Sequence, residues 1–388
     1  MKKENPYGTN FWLLCASSYL FFSSFTMIIP ELPGYLASLG GEQYLGLIIS
    51  LFTLTAGLSR PFSGKLTDQW GRIPVMIVGA VVSGVAALFY PVLTTVWGFL
   101  LLRLLHGFST GFKPTGTSAY VADLVPDNRR GEALGILSMF GTIGMASSPT
   151  FGSWIFNQYG INSLFYLSSA FAVGSVAILA GMKETLADRS RFKPRMLKVN
   201  RNDIYEPAVM MPSAVMLLTT FTFGTVVTLS PDFSEYLDIQ NKGIFYTFFT
   251  GSSLLVRFIG GRLSDKFGRR IILKFSTILL AISMVVIGFS QTPFQFFTGA
   301  FIFGLGYGLN SPTLFAWTID LSPVKTRGKG ISTLFIFLEI GIGLGSLLSG
   351  TFYQGVDSRF PLLFGVAALF SFIAFLYLIF YKNEKTDR

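Results

Sequence analysis

The sequence predicts an all-α membrane protein of twelve transmembrane helices arranged as two pseudo-symmetric six-helix bundles. Three observations lead there. Of the 388 residues, 51% are hydrophobic and only 13% are charged, whereas a water-soluble domain carries about a quarter charged residues. Twelve apolar stretches are each long enough to cross ~30 Å of hydrocarbon. The segment Arg60-Pro-Phe-Ser-Gly-Lys-Leu-Thr-Asp-Gln-Trp-Gly-Arg72 also recurs 197 positions later as Arg257-Phe-Ile-Gly-Gly-Arg-Leu-Ser-Asp-Lys-Phe-Gly-Arg269.

The spans read 10–36, 45–66, 74–92, 95–123, 132–156, 163–182, 208–236, 243–263, 271–289, 293–320, 330–354 and 360–381. Runs of this length are too long for strands, and a backbone in lipid must close its own hydrogen bonds, so helices are expected. The first span is too long for a signal-peptide core and lacks a small-residue cleavage site, so it is expected to be retained. The repeat continues beyond its first segment. Asp123-Leu-Val-Pro126 and Arg130-Gly131 return as Asp320-Leu-Ser-Pro323 and Arg327-Gly328, and Gly107 and Gly111 return as Gly304 and Gly308. A match of this kind signals duplication of a half-length unit. The expected organisation is an N-terminal bundle over 1–182, a polar linker over 183–207 and a C-terminal bundle over 208–388.

The net charge of +10 resembles a nucleic-acid signal until the cations are located. Of 30 Lys and Arg residues, 24 fall at the two termini, in the loops after the even-numbered spans or at the span ends that border those loops. The opposite loops hold only Lys242 and Arg359. By the positive-inside rule both termini are expected in the cytoplasm. The charge is read as topology, with a headgroup contact for the basic 183–201 segment left open, and no nucleic acid is expected as a partner. One cysteine, Cys15, and one histidine, His106, exclude an intrachain disulfide and a multi-histidine or cysteine-rich metal centre. No cofactor is expected, and neither a phosphate loop nor a large extramembrane domain suggests an enzyme.

Gly64-Lys-Leu-Thr-Asp68-Gln-Trp-Gly71-Arg72, between spans two and three, resembles the loop signature of the major facilitator superfamily, G-x-L-x-D-x-x-G-R. Gly261 to Arg270 repeats it more closely, and the resemblance covers essentially the whole chain. It implies the major facilitator fold and a secondary transporter. It also implies that Asp68 locks the inward-closed state by pairing with arginines and with the N-terminus of span eleven, near Lys329-Gly330-Ile331. There a carboxylate gains from unsatisfied N–H groups and the helix dipole. Arg72, Asp265 and Arg269, with Asp123, Arg130, Asp320 and Arg327, are read as the remaining gate. A solvated turn that only sets topology is the alternative.

Within the spans, buried charge marks function because it is costly in hydrocarbon. Arg103-Leu-Leu-His-Gly107 matches the family pattern R-x-x-x-G, which implies a part for Arg103 in proton movement; a structural arginine is the competing reading. His106 neighbours it on the helix and is a substrate-binding candidate or a packed residue. Lys113, followed by Pro114, lies too deep to snorkel easily, and its repeat position is Asn310. Lys113 and Asn310 are therefore substrate-binding candidates, with a structural ion pair open for Lys113. Gly144, Pro149 and Gly152 resemble the family's antiporter signature, with Ser148 and Ser153 standing where glycines are usual. Glu339 lies near the middle of span eleven, and its repeat position is Thr142. It is the leading proton-coupling candidate, ahead of Glu31 near the outer end of span one.

The combined reading is a monomeric secondary transporter in the drug or metabolite:proton antiporter-like branch, in the plasma membrane of a bacterium. Its partners would be a small organic substrate, protons and the lipid bilayer. Substrate would bind near the bilayer midplane between the halves. An uptake symporter or facilitator of a small metabolite, or a transporter-like sensor, is the alternative.

Overall fold

The computed structural model describes residues 7–125, 130–186, 189–198, 205–322 and 327–380. Among them every regular element is an α-helix or a short 3-10 turn. The first expected span is interrupted: α1 (Thr9–Thr26) gives way to a turn at Ile29–Glu31 and then to α2 (Leu32–Ser38). Pro30 and Pro33 cause this, since neither has an N–H to continue a helical ladder. α3 (Leu47–Gln69) and α4 (Arg72–Phe89) follow, and then α5 (Val96–Leu124). Thr95 starts α5 by accepting the Gly98 N–H at 3.1 Å. Its repeat equivalent Thr292 does the same for Gln295 at the head of α10, so the duplication preserved the cap as well as the span.

Expected spans five and six form one helical run, α6 (Arg130–Ala180), broken at Gly160, where φ is 79°. That left-handed value suits glycine and reduces the anticipated loop to a single residue. The second half contains α7 (Met210–Tyr236), α8 (Ile244–Phe267), α9 (Arg269–Gly288), α10 (Pro293–Leu321), α11 (Arg327–Tyr353) and α12 (Phe360–Phe380). Eight described segments are individually long and apolar enough to cross a membrane, and the α6 run among them holds two expected spans. α5 and α10 have 29 residues each, about 43 Å at 1.5 Å per residue. α5 is less apolar because it carries Arg103, His106 and Lys113.

The chain divides into two compact units. The first holds residues 1–41, 51–204 and 241–244; the second holds 42–50, 205–240 and 245–388. In the first, Phe11 and Cys15 of α1, Met76 of α4, Tyr120 of α5 and Leu179 of α6 form one apolar core. In the second, Val215 of α7, Leu273 of α9, Trp317 of α10, Leu334 of α11 and Leu378 of α12 do so. Each unit contains helix crossings without room for a side chain, and one of them is shared through the repeat. A Cβ on Gly107 of α5 would stand 2.0 Å from the Phe52 carbonyl of α3, and one on Gly304 of α10 would stand 2.0 Å from the Phe249 carbonyl of α8. Small residues allow this backbone approach.

The described residues of the 183–198 stretch, 183–186 and 189–198, are not a free tether. Ser190 donates its amide to the Gln69 carbonyl at 2.8 Å, and Lys65 donates to the Lys198 carbonyl at 2.6 Å. The Trp70 and Phe192 rings meet edge-on, and Met196 is buried with Leu66 and Val75.

Candidate functional site

The two signature loops build the same ion pair. In the first unit, Arg72 Nε donates to Asp123 Oδ2 at 3.1 Å while its Nη1 reaches Asp68 Oδ1 at 3.1 Å and the Thr67 carbonyl. In the second, Arg269 Nε donates to Asp320 Oδ2 at 3.0 Å and its Nη1 to Ser264 Oγ, the repeat equivalent of Thr67. Asp123 and Asp320 therefore pair with the signature arginines themselves. The side chains of Arg130, Asp265 and Arg327 lie outside the described residues. The Asp68 side chain is 74% exposed and pairs across the turn at Gly71 with Arg72, the first residue of α4.

The carboxylate that caps α4 comes from the linker. Glu184 accepts the Arg72 and Ile73 N–H groups at 3.1 and 3.0 Å, and also those of Thr185 and Leu186 at 2.9 and 3.0 Å. Thr185 Oγ1 donates to Asp123 at 2.6 Å. Gly71, at φ 139°, leaves the space that Glu184 fills; a Cβ there would stand 2.5 Å from Glu184 Oε2.

Gly144 and Gly152 of the antiporter-like segment bring α6 against α1. A Cβ on either would stand within 2.7 Å of a backbone carbonyl, Tyr19 or Met27 respectively. Pro149 lies inside α6. The two serines have acquired bonds: Ser148 pairs with Thr26 at 2.7 Å, and Ser153 donates to Glu31 Oε1 at 2.5 Å. Glu31 is thereby tied to this motif.

Arg103 and His106 belong to one buried hydrogen-bond chain, being 1% and 0% exposed. Arg103 Nη1 lies 3.4 Å from Tyr90 Oη, which lies 3.3 Å from His106 Nδ1. His106 Nε2 is 3.0 Å from Ser83 Oγ, itself 3.0 Å from Ser24 Oγ, and Ser24 donates to the Phe21 carbonyl at 2.7 Å. One proton arrangement serves every member. Arg103 donates to Tyr90, Tyr90 to Nδ1, a neutral Nε2–H to Ser83, and Ser83 to Ser24. His106 is engaged at both ring nitrogens.

Lys113 is 1% exposed. Its Nζ lies 3.5 Å from Ser18 Oγ and 4.9 Å from the centre of the Phe21 ring. Among the described residues no carboxylate reaches it, so the structural ion pair is absent there. Asn310 differs: its Oδ1 accepts from Thr219 and its Nδ2 donates to Ser276, both at 3.1 Å.

Glu339 sits at the thirteenth of the 27 residues of α11 and is 8% exposed. Tyr307 of α10 lies within electrostatic reach of both Glu339 and Arg257 of α8. Phe223, Phe249 and Phe303 surround the Tyr307 ring, with centroids 5.1 to 5.9 Å away. Tyr307 and Glu184 carried no expectation from the sequence. Arg257 falls inside the expected span 243–263, and a charge in that place is the signal that finds it.

Duplicated helical halves, membrane-length helices, paired signature loops and a buried carboxyl define a secondary-transporter architecture. The Major Facilitator Superfamily model matches residues 13–245 and 213–388, and the chain belongs to that family. It is a multi-pass membrane transporter of small molecules rather than an enzyme. It is 26% identical over 94% of its length to the multi-drug resistance efflux pump PmrA of Streptococcus pneumoniae, covering 96% of that protein. It is 28% identical over 87% of its length to the multidrug resistance protein MdtG of Serratia proteamaculans, covering 84% of it. Among solved structures it superposes on the human organic anion transporter MFSD10 (TETRAN) with a TM-score of 0.75 and 17% identity, over 97% of this chain and 100% of that one. A peptide transporter POT in complex with sulfate gives 0.78 and 16%, over 95% and 93%.

Proposed function

We propose that this transporter is a proton-driven exporter of small amphipathic organic molecules in a bacterial plasma membrane. In this reading it works as a monomer by alternating access, with both termini cytoplasmic and with residues 1–182 and 208–388 as the moving halves joined by 183–207. The observation that carries the proposal is Glu339, a buried carboxyl at the middle of α11 within electrostatic reach of Tyr307. A carboxyl in that setting can exchange a proton for a substrate without leaving a permanent charge in hydrocarbon. The relatives named as multidrug efflux pumps, matched over most of both chains, support export. The Glu31–Ser153 bond within the antiporter-like segment supports a secondary proton role for Glu31, and the buried chain through Arg103 supports one for that arginine. Asp68, Arg72, Asp123, Arg269 and Asp320 serve as gate residues in this scheme.

The test uses proteoliposomes with an acidic lumen and rhodamine 6G outside. Protein-dependent accumulation that vanishes when an ionophore collapses the gradient, and in Glu339→Gln, is the expected result. Accumulation by Glu339→Gln equal to that of wild type contradicts the assignment.

A further inference from the structure

The repeat supplies an internal control for Lys113. Lys113, Ser18 and Gly79 occupy the places that Asn310, Thr219 and Ser276 hold in the second half, at offsets of 197, 201 and 197. In the second unit the three polar side chains close on one another: Thr219 donates to the Asn310 carbonyl, and the Asn310 amide donates to Ser276. This neutral triad ties α7, α9 and α10 together.

The first unit keeps the positions and abandons the closure. Ser18 still meets the central residue, but at 3.5 Å. Gly79 contributes no side chain, and a Cβ there would stand 2.6 Å from the Lys113 backbone nitrogen, so no third polar partner fits. An ammonium has three donors. Here one has a long bond to a serine and the group faces the Phe21 ring. A scaffold role would be met by the asparagine that the second half uses. Taking a cation out of water with so little compensation is costly, which points to a partner that comes and goes.

The surroundings specify its chemistry. Phe21 meets Phe25, and Phe25 meets Phe52, each with centroids 5.6 Å apart. Arg103 Cζ lies 4.6 Å from the centre of the Phe52 ring. Lys113 thus marks one end of a buried aromatic row and Arg103 the other. We propose that Lys113 is the charge-recognition residue of a subsite for amphipathic organic anions, pairing with a carboxylate or sulfonate when its surroundings, closed here with Phe21 0% and Phe25 8% exposed, open beside the aromatic row. The inference rests on the transport reading and adds organic anions to the cargo it admits.

The test is equilibrium binding to full-length protein in nanodiscs, followed by fluorescence anisotropy of two xanthene dyes, anionic 5-carboxyfluorescein and cationic rhodamine 6G. Wild type should bind carboxyfluorescein saturably. Lys113→Asn, which installs the residue of the other half, should shift the anion-to-cation affinity ratio against the anion by at least about tenfold. Lys113→Arg, which keeps the charge, should restore most of that ratio. No saturable anion binding by wild type overturns the proposal, as does an unchanged ratio in Lys113→Asn or an equal loss for both dyes. Proton-driven rhodamine accumulation is scored separately in proteoliposomes. Its failure would remove the exporter reading and leave the binding result standing, and the converse also holds.

Discussion

Glu184→Gln should loosen the start of α4 although residue 184 is more than a hundred positions away in sequence. The carboxylate accepts two helix N–H groups, from Arg72 and Ile73, and two from its own turn. Glutamine keeps the shape, loses the charge and turns an NH2 donor toward N–H donors. Hydrogen bonds to charged groups contribute about 1.5–3 kcal/mol each, and a charge at a helix N-terminus adds ~0.3–1 kcal/mol. Glu184 is only half-buried, so water replaces part of that, and a net loss of about 2–3 kcal/mol is expected. Hydrogen exchange reads this directly, because the Arg72 and Ile73 amides should lose protection by at least about tenfold (1.4 kcal/mol), with amides in the middle of α4 much less affected. Unchanged protection would refute the capping argument. A uniform loss throughout the first unit would show that Glu184 supports global stability and not this helix end.

The remaining predictions concern crossings, the buried chain and the gate. Gly107→Ala and Gly304→Ala should each cost about 1–3 kcal/mol or more in apparent thermal stability, because the new methyl meets a backbone carbonyl at 2.0 Å and the helices must separate. Gly251→Ala, with open space around its Cβ, is the neutral control, and equal effects would contradict the steric account. His106→Leu should cost about 1–3 kcal/mol, because the buried Tyr90 O–H loses its acceptor while Ser83 keeps its bond to Ser24. Ser83→Ala on top of it should add little, since both act in one chain, and full additivity in a double-mutant cycle would disprove the coupling. Asp68→Asn removes an exposed ion pair and should change stability by less than ~1 kcal/mol; a drop in Tm that accounts for all lost transport would make Asp68 structural and remove it from the gate.

The twelve-span pattern was legible because each helix writes its own apolar run, and duplication wrote it twice. The paired signature loops were legible as a set of residues but not as pairs. Asp123 and Asp320 were grouped with Arg130 and Arg327 nearby in sequence, while the structure joins them to Arg72 and Arg269 at 51 positions' separation. The break after α1 could have been read from Pro30 and Pro33, but the hydropathy of 10–36 runs through them. Glu184 was invisible because one acid in a polar linker looks like any other until its N–H partners are placed around it. The triad behind Asn310 was hidden by a shift in register: α1 and α7 align at 201 where the later helices align at 197.

The central claim is that Glu339 exchanges a proton for substrate. Proteoliposomes loaded with the pH dye pyranine and started at equal pH test it most directly. Rhodamine 6G added outside should enter down its gradient and drive protons out, so the wild-type lumen should turn alkaline in step with uptake. In Glu339→Gln the dye should still enter while lumenal pH stays flat. Equal alkalinisation in wild type and Glu339→Gln, or dye entry into wild-type vesicles with no pH change, would contradict the account.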